Sequence, residues 1–164
     1  MPVFTIPPSD YEVSRNAMLV DTNVLVHAFD KSESKHEDAR YFLDEWDAEW
    51  LIPVGVVVET WGMLVGKNRN ATAGYDFLRW LNTPGKALVL TQDIDLPEVV
   101  TLTTTARYDC VDALLIILSS RITEQCALRP PIPVATFDTR DFFRIATHER
   151  LKIAVFDMNS YETY

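Results

Sequence analysis

The sequence predicts a single α/β domain in which a central, mainly parallel sheet is covered by helices on both faces. Short apolar runs of strand length alternate with longer stretches of helical periodicity, and no hairpin signal joins two neighbouring runs. Parallel strands that are buried on both faces are apolar along their whole length, as these runs are. The 164 residues, of which 48% are hydrophobic, suffice for one core of ordinary size.

The predicted domain covers residues 17–164. Residues 1–16 precede it as a proline-rich arm, which we expect to be extended and to lie on the domain. Five apolar runs have the length of strands. The strands are expected at residues 17–20, 50–53, 87–91, 132–136 and 152–156.

The segments between these strands are predicted to be helices from their caps, period and length. Asp21 is a favoured N-cap for a helix over residues 22–29, and apolar residues recur at helical spacing within residues 34–50. The β-branched run 54–65 is locally ambiguous, but its length of about three turns favours a helix. Further helices are expected at residues 71–81, 97–105, 108–125 and 140–147.

Charge and cysteine content limit the class of protein. Lys and Arg number 15 against 24 Asp and Glu, and the net charge of −9 lacks the basic footprint of a general nucleic-acid binder. It leaves open a nucleic acid held in a local groove, or a basic protein partner. Cys110 and Cys126 lie among apolar residues and are expected to be reduced, buried thiols. Without a signal peptide or a membrane-spanning run, a cytoplasmic protein is expected.

Four acidic residues stand in apolar surroundings. Asp21 and Asp138 each follow a predicted strand, whereas Glu59 and Asp112 lie within apolar helices. Ligands of an open parallel sheet bind beyond the carboxyl ends of its strands. If both helices start at that edge, the four carboxylates converge, and oxygen ligands of this kind suit Mg²⁺ or Mn²⁺.

Each of the four carboxylates also has a structural interpretation. Asp21 and Asp138 belong to a residue type that caps helices. Glu59 can pair with one of the basic residues that follow it about two helical turns later. Asp112 can cap its own helix, although Asp109 is better placed for that role.

Four segments together resemble the PIN domain, the fold of the VapC-type toxins of bacterial toxin–antitoxin pairs. In the family's order they are Leu19-Val20-Asp21-Thr22-Asn23-Val24-Leu25-Val26, Glu59 within its apolar helix, Asp109-Cys110-Val111-Asp112-Ala113-Leu114-Leu115, and Thr136-Phe137-Asp138-Thr139-Arg140-Asp141-Phe142. The resemblance implies a Mg²⁺- or Mn²⁺-dependent ribonuclease that cuts single-stranded or loop RNA. It also implies a homodimer and a cognate antitoxin that silences the enzyme.

The resemblance assigns roles to individual residues. It implies that the metal-binding quartet consists of Asp21, Glu59, Asp112 and Asp138. Thr22 and Asn23 would position water or phosphate beside the metal, and Asp141 would be a further acid at the site. Asp109 shares a helix face with Asp112, and Thr136 shares a strand face with Asp138 if the strand extends that far. Each of these supporting residues can equally cap nearby backbone groups or face solvent.

RNA must be held by few cations in so acidic a chain. The candidates are Lys67 and Arg69 at the tip of a helical hairpin, and Arg107, Arg140 and Arg144 nearer the expected site. As isolated basic residues they can equally be ordinary surface residues. The chain also departs from the compact pattern that we expect of such a toxin, through its arm and a proline-rich insert at residues 129–133.

Other classes of function are weaker or remain as alternatives. The sequence contains no phosphate-binding loop, dinucleotide fingerprint or nucleophile elbow. His27 is interpreted as a packed or surface histidine, because no second ligand has matching spacing. The alternatives are a PIN-fold interaction scaffold without nuclease activity, which would use aromatics such as Trp46, Trp50 and Trp80, and a metal-dependent nuclease for single-stranded DNA.

Overall fold

The computed structural model describes residues 3–4, 16–91, 96–125, 132–148 and 154–160. The described residues form one sheet whose neighbouring strands are all parallel. The strands are β1 Val3–Phe4, β2 Ala17–Val20, β3 Glu49–Pro53, β4 Ala87–Leu90, β5 Pro133–Thr136 and β6 Ala154–Asp157. The helices are α1 Thr22–Phe29, α2 His36–Glu45, α3 Val54–Trp61, α4 Ala71–Leu81, α5 Leu96–Ala106, α6 Cys110–Gln125 and α7 Thr139–His148, with a π-helical segment at Gly62–Lys67 directly after α3.

The strand order is β1-β4-β3-β2-β5-β6. From β2 the chain moves to one side as far as β4 and then returns to the other side of β2. Because such crossovers are right-handed, this reversal places the two sets of helices on opposite faces of the sheet. Accordingly, α1 contacts α2, α3 and α4, whereas α6 contacts α5 and α7 and, across the two sets, also α3. The predicted parallel α/β fold, with helices on both faces, is confirmed.

The strand order reverses between β2 and β5, which are adjacent at the centre of the sheet. Leu19 lies opposite Val134 in this pair, and Val20 lies opposite Ala135. The backbone N–H of Asp21 continues the ladder by donating to the carbonyl oxygen of Ala135 at 3.0 Å. The residues that follow these two strands therefore lie side by side, at the position where parallel α/β folds bind their ligands.

The core extends on both sides of the sheet. All four residues of β2 are buried, since helices cover both faces of this central strand. Phe42, Phe77 and Phe142 are among the largest fully buried side chains, and they come from α2, α4 and α7. Both helical layers thus bury aromatic side chains against the sheet.

Two glycines allow close helix packing. A Cβ atom at Gly55 would lie 2.9 Å from Leu114 of α6, and one at Gly74 of α4 would lie 2.5 Å from Val65. The first contact brings α3, which carries Glu59, against α6, which carries Asp112. The second lets α4 pack against the π-helical segment.

The helix predicted at residues 34–50 is shorter than expected, because α2 ends at Glu45. Trp46 is already extended and packs edge-on against Phe156, with ring centroids 5.3 Å apart. Trp50 lies in β3, and its indole N–H donates to the carbonyl oxygen of Leu43 at 3.3 Å. The apolar spacing beyond Glu45 therefore reflects packing against the sheet and not a continued helix.

The N-terminal arm, the two cysteines and the proline-rich insert differ in how far the structure tests their predictions. Within the predicted arm, Val3–Phe4 pairs with β4 as an edge strand, and residues 1–2 and 5–15 lie outside the described residues. The prediction of a buried Cys110 is wrong, since this thiol is exposed at the start of α6. Cys126 and most of the insert, residues 129–131, also lie outside the described residues.

Two of the three tryptophans considered for partner binding belong to the core. Trp50 and Trp80 are buried, and only Trp46 is exposed. This burial removes two of the three tryptophans from the surface of an interaction scaffold. Other aromatic side chains are exposed, namely Tyr41, Tyr75 and Phe143. Within the described ranges, none of the helices combines the length and apolar character needed to span a bilayer.

Candidate active site

Asp21 lies between the end of β2 and the first turn of α1 and is 4% exposed. Its side chain does not cap α1, which weighs against the capping interpretation. Its Oδ2 instead accepts a hydrogen bond from the Thr136 hydroxyl at 2.7 Å. The pKa of Asp21 is raised to about 6, chiefly by burial and further by the charges of Glu59 and Asp138, although the bond from Thr136 opposes the rise.

Asp112 lies in the first turn of α6. Because α6 leads into the start of β5, its own N-terminus lies toward the carboxyl edge of the sheet. The pKa of Asp112 is raised to about 8, first by burial and then by neighbouring negative charges. These charges belong to Asp21, Asp109, Asp138 and Asp141. Carboxylates from β2, α6 and the β5–α7 connection are therefore within electrostatic range of one another.

Thr136 connects the central residues of this site. Its hydroxyl donates to Asp21 and accepts from the Asn23 Nδ2 at 3.1 Å and from the backbone N–H of Asp138 at 2.9 Å. Asn23 Oδ1 in turn accepts the backbone N–H of Phe137 at 3.1 Å. With Thr136 fully buried, this network joins the end of β5 to the start of α1.

Glu59 reaches the start of α1. Its Oε2 accepts a hydrogen bond from the hydroxyl of Thr22, which follows Asp21 directly. Among the described residues, no ion pair joins Glu59 to Lys67 or Arg69, so the helical pairing interpretation does not hold. The carboxylate of Glu59 lies instead beside the buried Asp21, whose pKa it raises.

Two of the acids do cap helices. Asp109 Oδ1 accepts the backbone N–H groups of Val111 at 2.9 Å and of Asp112 at 3.4 Å, so Asp109 caps α6 as interpreted. Asp138 Oδ1 accepts the N–H of Asp141 at 3.4 Å at the start of α7. Capping leaves the second carboxylate oxygen available for other contacts, so it does not exclude Asp138 from the acidic cluster.

The basic candidates fall into two groups. Arg144 is at the site: its guanidinium lies 3.4 Å from Asp141 Oδ1 and 5.5 Å from the centre of the Tyr108 ring. Arg140 is exposed in the first turn of the same helix. Arg107 is exposed just before α6 and has a left-handed backbone with φ of 57°, which is uncommon for a residue with a side chain.

Lys67 and Arg69 lie at the opposite end of α1 from Asp21. Their neighbours Asn68 and Asn70 donate side-chain hydrogen bonds to Asp30, the C-cap of α1, at 2.9 and 3.2 Å. The eight residues of α1 rise by about 12 Å, so this pair of cations is remote from the buried carboxylate. The structure does not bring them to the site.

The donor set matches the chemistry of a hard divalent cation. Carboxylate oxygens are the ligands that Mg²⁺ and Mn²⁺ prefer, and a cation would offset both the burial and the repulsion that raise the pKa values of Asp21 and Asp112. No three acidic, histidine or cysteine side chains of the described residues surround one point closely enough to form a ready-made cage. One oxygen of Glu59 is engaged by Thr22. The residues thus fit such an ion by their chemistry without being preassembled around it.

Three contacts were not foreseen from the sequence. Asn159, in the turn after β6, donates through Nδ2 to the carbonyl oxygen of Phe137 at 2.7 Å. The ring of Tyr108 lies under Arg144, and His27 packs edge-on against Phe137 with centroids 4.9 Å apart. Asn159 follows a predicted strand at the carboxyl edge of the sheet, and that position was the available signal. The packed interpretation of His27 agrees with this contact, and burial lowers the pKa of its ring.

The fold is that of a PIN domain. No protein-family model and no curated protein sequence matches the chain. Among solved structures, Mycobacterium tuberculosis VapC20, a toxin that cleaves the sarcin–ricin loop, superposes with a TM-score of 0.58 at 14% identity, over 77% of this chain and 94% of that one. FitAB bound to the IR36 DNA fragment gives 0.57 at 16% identity, over 90% and 99% of the two chains. FitAcB from Neisseria gonorrhoeae gives 0.53 at 18% identity, over 88% and 99%.

These likenesses confirm the PIN-domain fold that the sequence predicts. At such identities they concern the fold alone. What the site does must be argued from its own residues.

Proposed function

We propose that this chain is a Mg²⁺- or Mn²⁺-dependent endoribonuclease that hydrolyses RNA phosphodiester bonds. The observation that carries the proposal is the convergence of carboxylates at the switch point of the sheet, where burial and the charge of Asp21 both raise the pKa of Asp112. Burying facing carboxylates is unfavourable unless a cation compensates them. Among the described residues, helix capping does not account for this arrangement, because the Asp21 side chain does not cap α1 and Asp109 caps α6.

The residues that would hold the ion are Asp21, Glu59, Asp112 and Asp138. When bound, a divalent ion lowers the pKa of a coordinated water and neutralises charge on the leaving oxygen. Thr136 and Asn23 keep the two strand ends in register, so the carboxylates of Asp21 and Asp138 stay together. Thr22 keeps Glu59 on the same side of α1.

Arg144 is the cation that we assign to the phosphate of the substrate. Its guanidinium lies over the Tyr108 ring and beside Asp141, and its exposed side chain leaves the planar donors accessible to a phosphate. Arg107 and Arg140 would extend this contact along the RNA strand. Lys67 and Arg69 are too far from the carboxylates to share it, and any role for them concerns more distant nucleotides.

We further propose that the enzyme is the toxin of a toxin–antitoxin pair, works in the cytoplasm as a homodimer and is silenced by an antitoxin protein. Support comes from the shared fold with VapC20, which is described as a toxin that cleaves an RNA loop. The net charge of −9 favours a basic antitoxin surface. Co-purification with the product of a neighbouring gene tests whether an antitoxin binds. Light scattering of the isolated chain tests whether it forms a homodimer.

Cleavage assays with Asp112→Asn test the nuclease. The variant removes a carboxylate without changing side-chain volume, and we expect it to lose at least about 100-fold in the rate of RNA cleavage with Mn²⁺. Asp44→Asn is the matched control, because Asp44 is an exposed acid on α2 that pairs only with Arg40 among the described ion pairs. Wild-type cleavage by Asp112→Asn would remove this residue from the site.

Substrate class and metal binding need their own measurements. Equal rates on RNA and on single-stranded DNA of the same sequence would favour the DNA nuclease. A folded-state ligand at a hundred times its dissociation constant stabilises a protein by about 2.7 kcal/mol, so Mn²⁺ should raise the melting temperature of wild type but not of Asp112→Asn. Absence of both cleavage and a Mn²⁺ shift in wild type would favour the interaction scaffold.

A further inference from the structure

The turn at residues 157–160, which follows β6, contacts the backbone of the β5–α7 connection. Asn159 Nδ2 donates to the carbonyl oxygen of Phe137 at 2.7 Å. The backbone N–H of Met158 donates to the carbonyl oxygen of Thr136 at 3.0 Å. Both acceptors belong to the two residues before Asp138, so this turn supports the segment that carries one of the acids.

Asp157 holds the side chain of Asn159 in place. Its Oδ1 accepts the backbone N–H of Asn159 at 2.9 Å and the Nδ2 at 3.2 Å. Its Oδ2 accepts the hydroxyl of Ser160 at 3.0 Å. Although Asn159 is exposed, its side-chain amide is thus held by two acceptors. These are the carboxylate of Asp157 and the backbone carbonyl of Phe137.

The backbone of Phe137 is hydrogen-bonded by two asparagine side chains that are distant from each other in sequence. Its N–H is bound by Asn23 Oδ1 from α1, and its C=O is bound by Asn159 Nδ2 from the 157–160 turn. Fixing both polar groups of this residue restricts the two peptide planes on either side of it. The Cα atom of Asp138, one peptide further, is thereby held relative to α1 and β6.

We propose that Asn159 is a positioning residue for the acidic cluster: by holding the Phe137 carbonyl, it keeps the Asp138 carboxylate facing Asp21 and Asp112. This inference rests on the proposed function insofar as Asp138 is taken to be a metal ligand. Asn159 itself touches none of the carboxylates of the cluster through a described hydrogen bond. Displacement of a ligand by as little as about 1 Å is enough to weaken a catalytic arrangement strongly.

Asn159→Ala tests the proposal, with Ser160→Ala as the matched control. Ser160 lies in the same exposed turn and bonds the same aspartate, but makes no described bond to the β5–α7 connection. Three readouts are needed: hydrogen exchange of the Phe137 and Asp138 amides in the metal-free protein, the Mn²⁺ dissociation constant, and kcat and KM for RNA. The melting temperature shows whether each variant is folded.

For Asn159→Ala we expect exchange at both amides to become about tenfold faster, since one hydrogen bond that restrains the segment is lost. We expect Mn²⁺ affinity to fall by about 10–100-fold and kcat to fall with it, with KM for RNA little changed. Ser160→Ala should match wild type in all three. A merely structural role for Asn159 would lower the melting temperature and leave Mn²⁺ affinity unchanged.

Exchange rates and Mn²⁺ affinity equal to those of Ser160→Ala would overturn the proposal. Failure of the proposed function looks different, because wild type itself would then neither bind Mn²⁺ nor cleave RNA. In that case the exchange rates of the Phe137 and Asp138 amides decide whether Asn159 holds this segment.

Discussion

At the scale of single residues, the Thr136 hydroxyl connects more of the site than any carboxylate does. It makes one donor and two acceptor contacts in a fully buried position, which uses the whole hydrogen-bonding capacity of a hydroxyl. Its hydrogen bond also lowers the pKa of Asp21, against the effect of burial. The acidic cluster is therefore partly stabilised by neutral groups before any cation is present.

Thr136→Val should destabilise the protein and weaken the site together. Valine keeps the shape of the side chain but leaves the buried Asp21 without its donor, which costs about 1–3 kcal/mol. Because Asp21 and Asp138 lose their common contact, Mn²⁺ affinity and RNA cleavage should each fall by about 10–100-fold. Urea unfolding and Mn²⁺ titration measure the two effects.

Thr60→Val is the control for this substitution. Thr60 is also fully buried, but its hydroxyl has no hydrogen-bond partner in the described part of the chain. Replacing an unsatisfied buried hydroxyl by a methyl group should be neutral or stabilise the fold by up to about 1 kcal/mol. Equal destabilisation by the two variants would mean that the Thr136 network has no special weight.

At the scale of secondary-structure elements, the packing of α3, its π-helical continuation and α4 depends on glycine. Gly74 on α4 faces Val65 and the ring of Trp61, with no room for a Cβ atom. Gly62, only one residue beyond Trp61, has open space around it instead. The two glycines thus separate the effect of packing from that of helix propensity.

Gly74→Ala and Gly62→Ala should therefore have opposite effects. Overpacking at Gly74 should lower stability by about 1–3 kcal/mol, whereas Gly62→Ala, in a right-handed helical conformation, should raise it by about 0.5–1 kcal/mol. Thermal unfolding resolves both, because about 1 kcal/mol corresponds to roughly 2–4 °C at this chain length. A stabilising Gly74→Ala would show that α4 can move away from the π-helical segment without loss.

Local signals were sufficient where an element's boundary is decided by its own residues. Ala71–Leu81 agrees residue by residue with the prediction, because Asn70 caps it by accepting the Ala73 N–H at 3.1 Å. The end of α2 was missed, since Trp46 leaves the helix to pack on Phe156 more than 100 residues away. No window of local sequence contains that contact.

The candidate site shows the same difference between features that local sequence predicts and features that depend on distant contacts. Asp21 and Asp112 could be singled out because a carboxylate in an apolar run contradicts its surroundings. For Asp138, the sequence could not distinguish a helix cap from a member of the acidic cluster, since both roles use the same carboxylate. Asn159 was missed because an exposed asparagine in a turn is ordinary, and only the tertiary fold places it on Phe137.

At the scale of the whole molecule, the pH dependence of stability follows from the two carboxylates of the acidic cluster whose pKa values burial raises. The folded-state pKa values of Asp21, about 6, and Asp112, about 8, both lie above the ordinary aspartate pKa of 3.8, which represents the unfolded chain. A group with a raised folded-state pKa contributes stability that is complete below its unfolded pKa and is lost as the pH rises through its folded pKa. The metal-free protein should therefore lose stability between about pH 4 and about pH 9.

Asp112→Asn isolates the contribution of the group with the higher pKa. Asparagine cannot ionise, so the variant should match wild type closely below about pH 4 and exceed its melting temperature increasingly up to about pH 9, where the gap becomes constant. The other acidic residues are common to both proteins, so most of their effect cancels in the difference. We expect a final gap of at least about 2–4 °C, and saturating Mn²⁺ should remove it by neutralising the wild-type carboxylate. A gap in melting temperature that stays constant across this pH range would mean that neither burial nor the neighbouring charges raise the pKa of Asp112 in the folded protein.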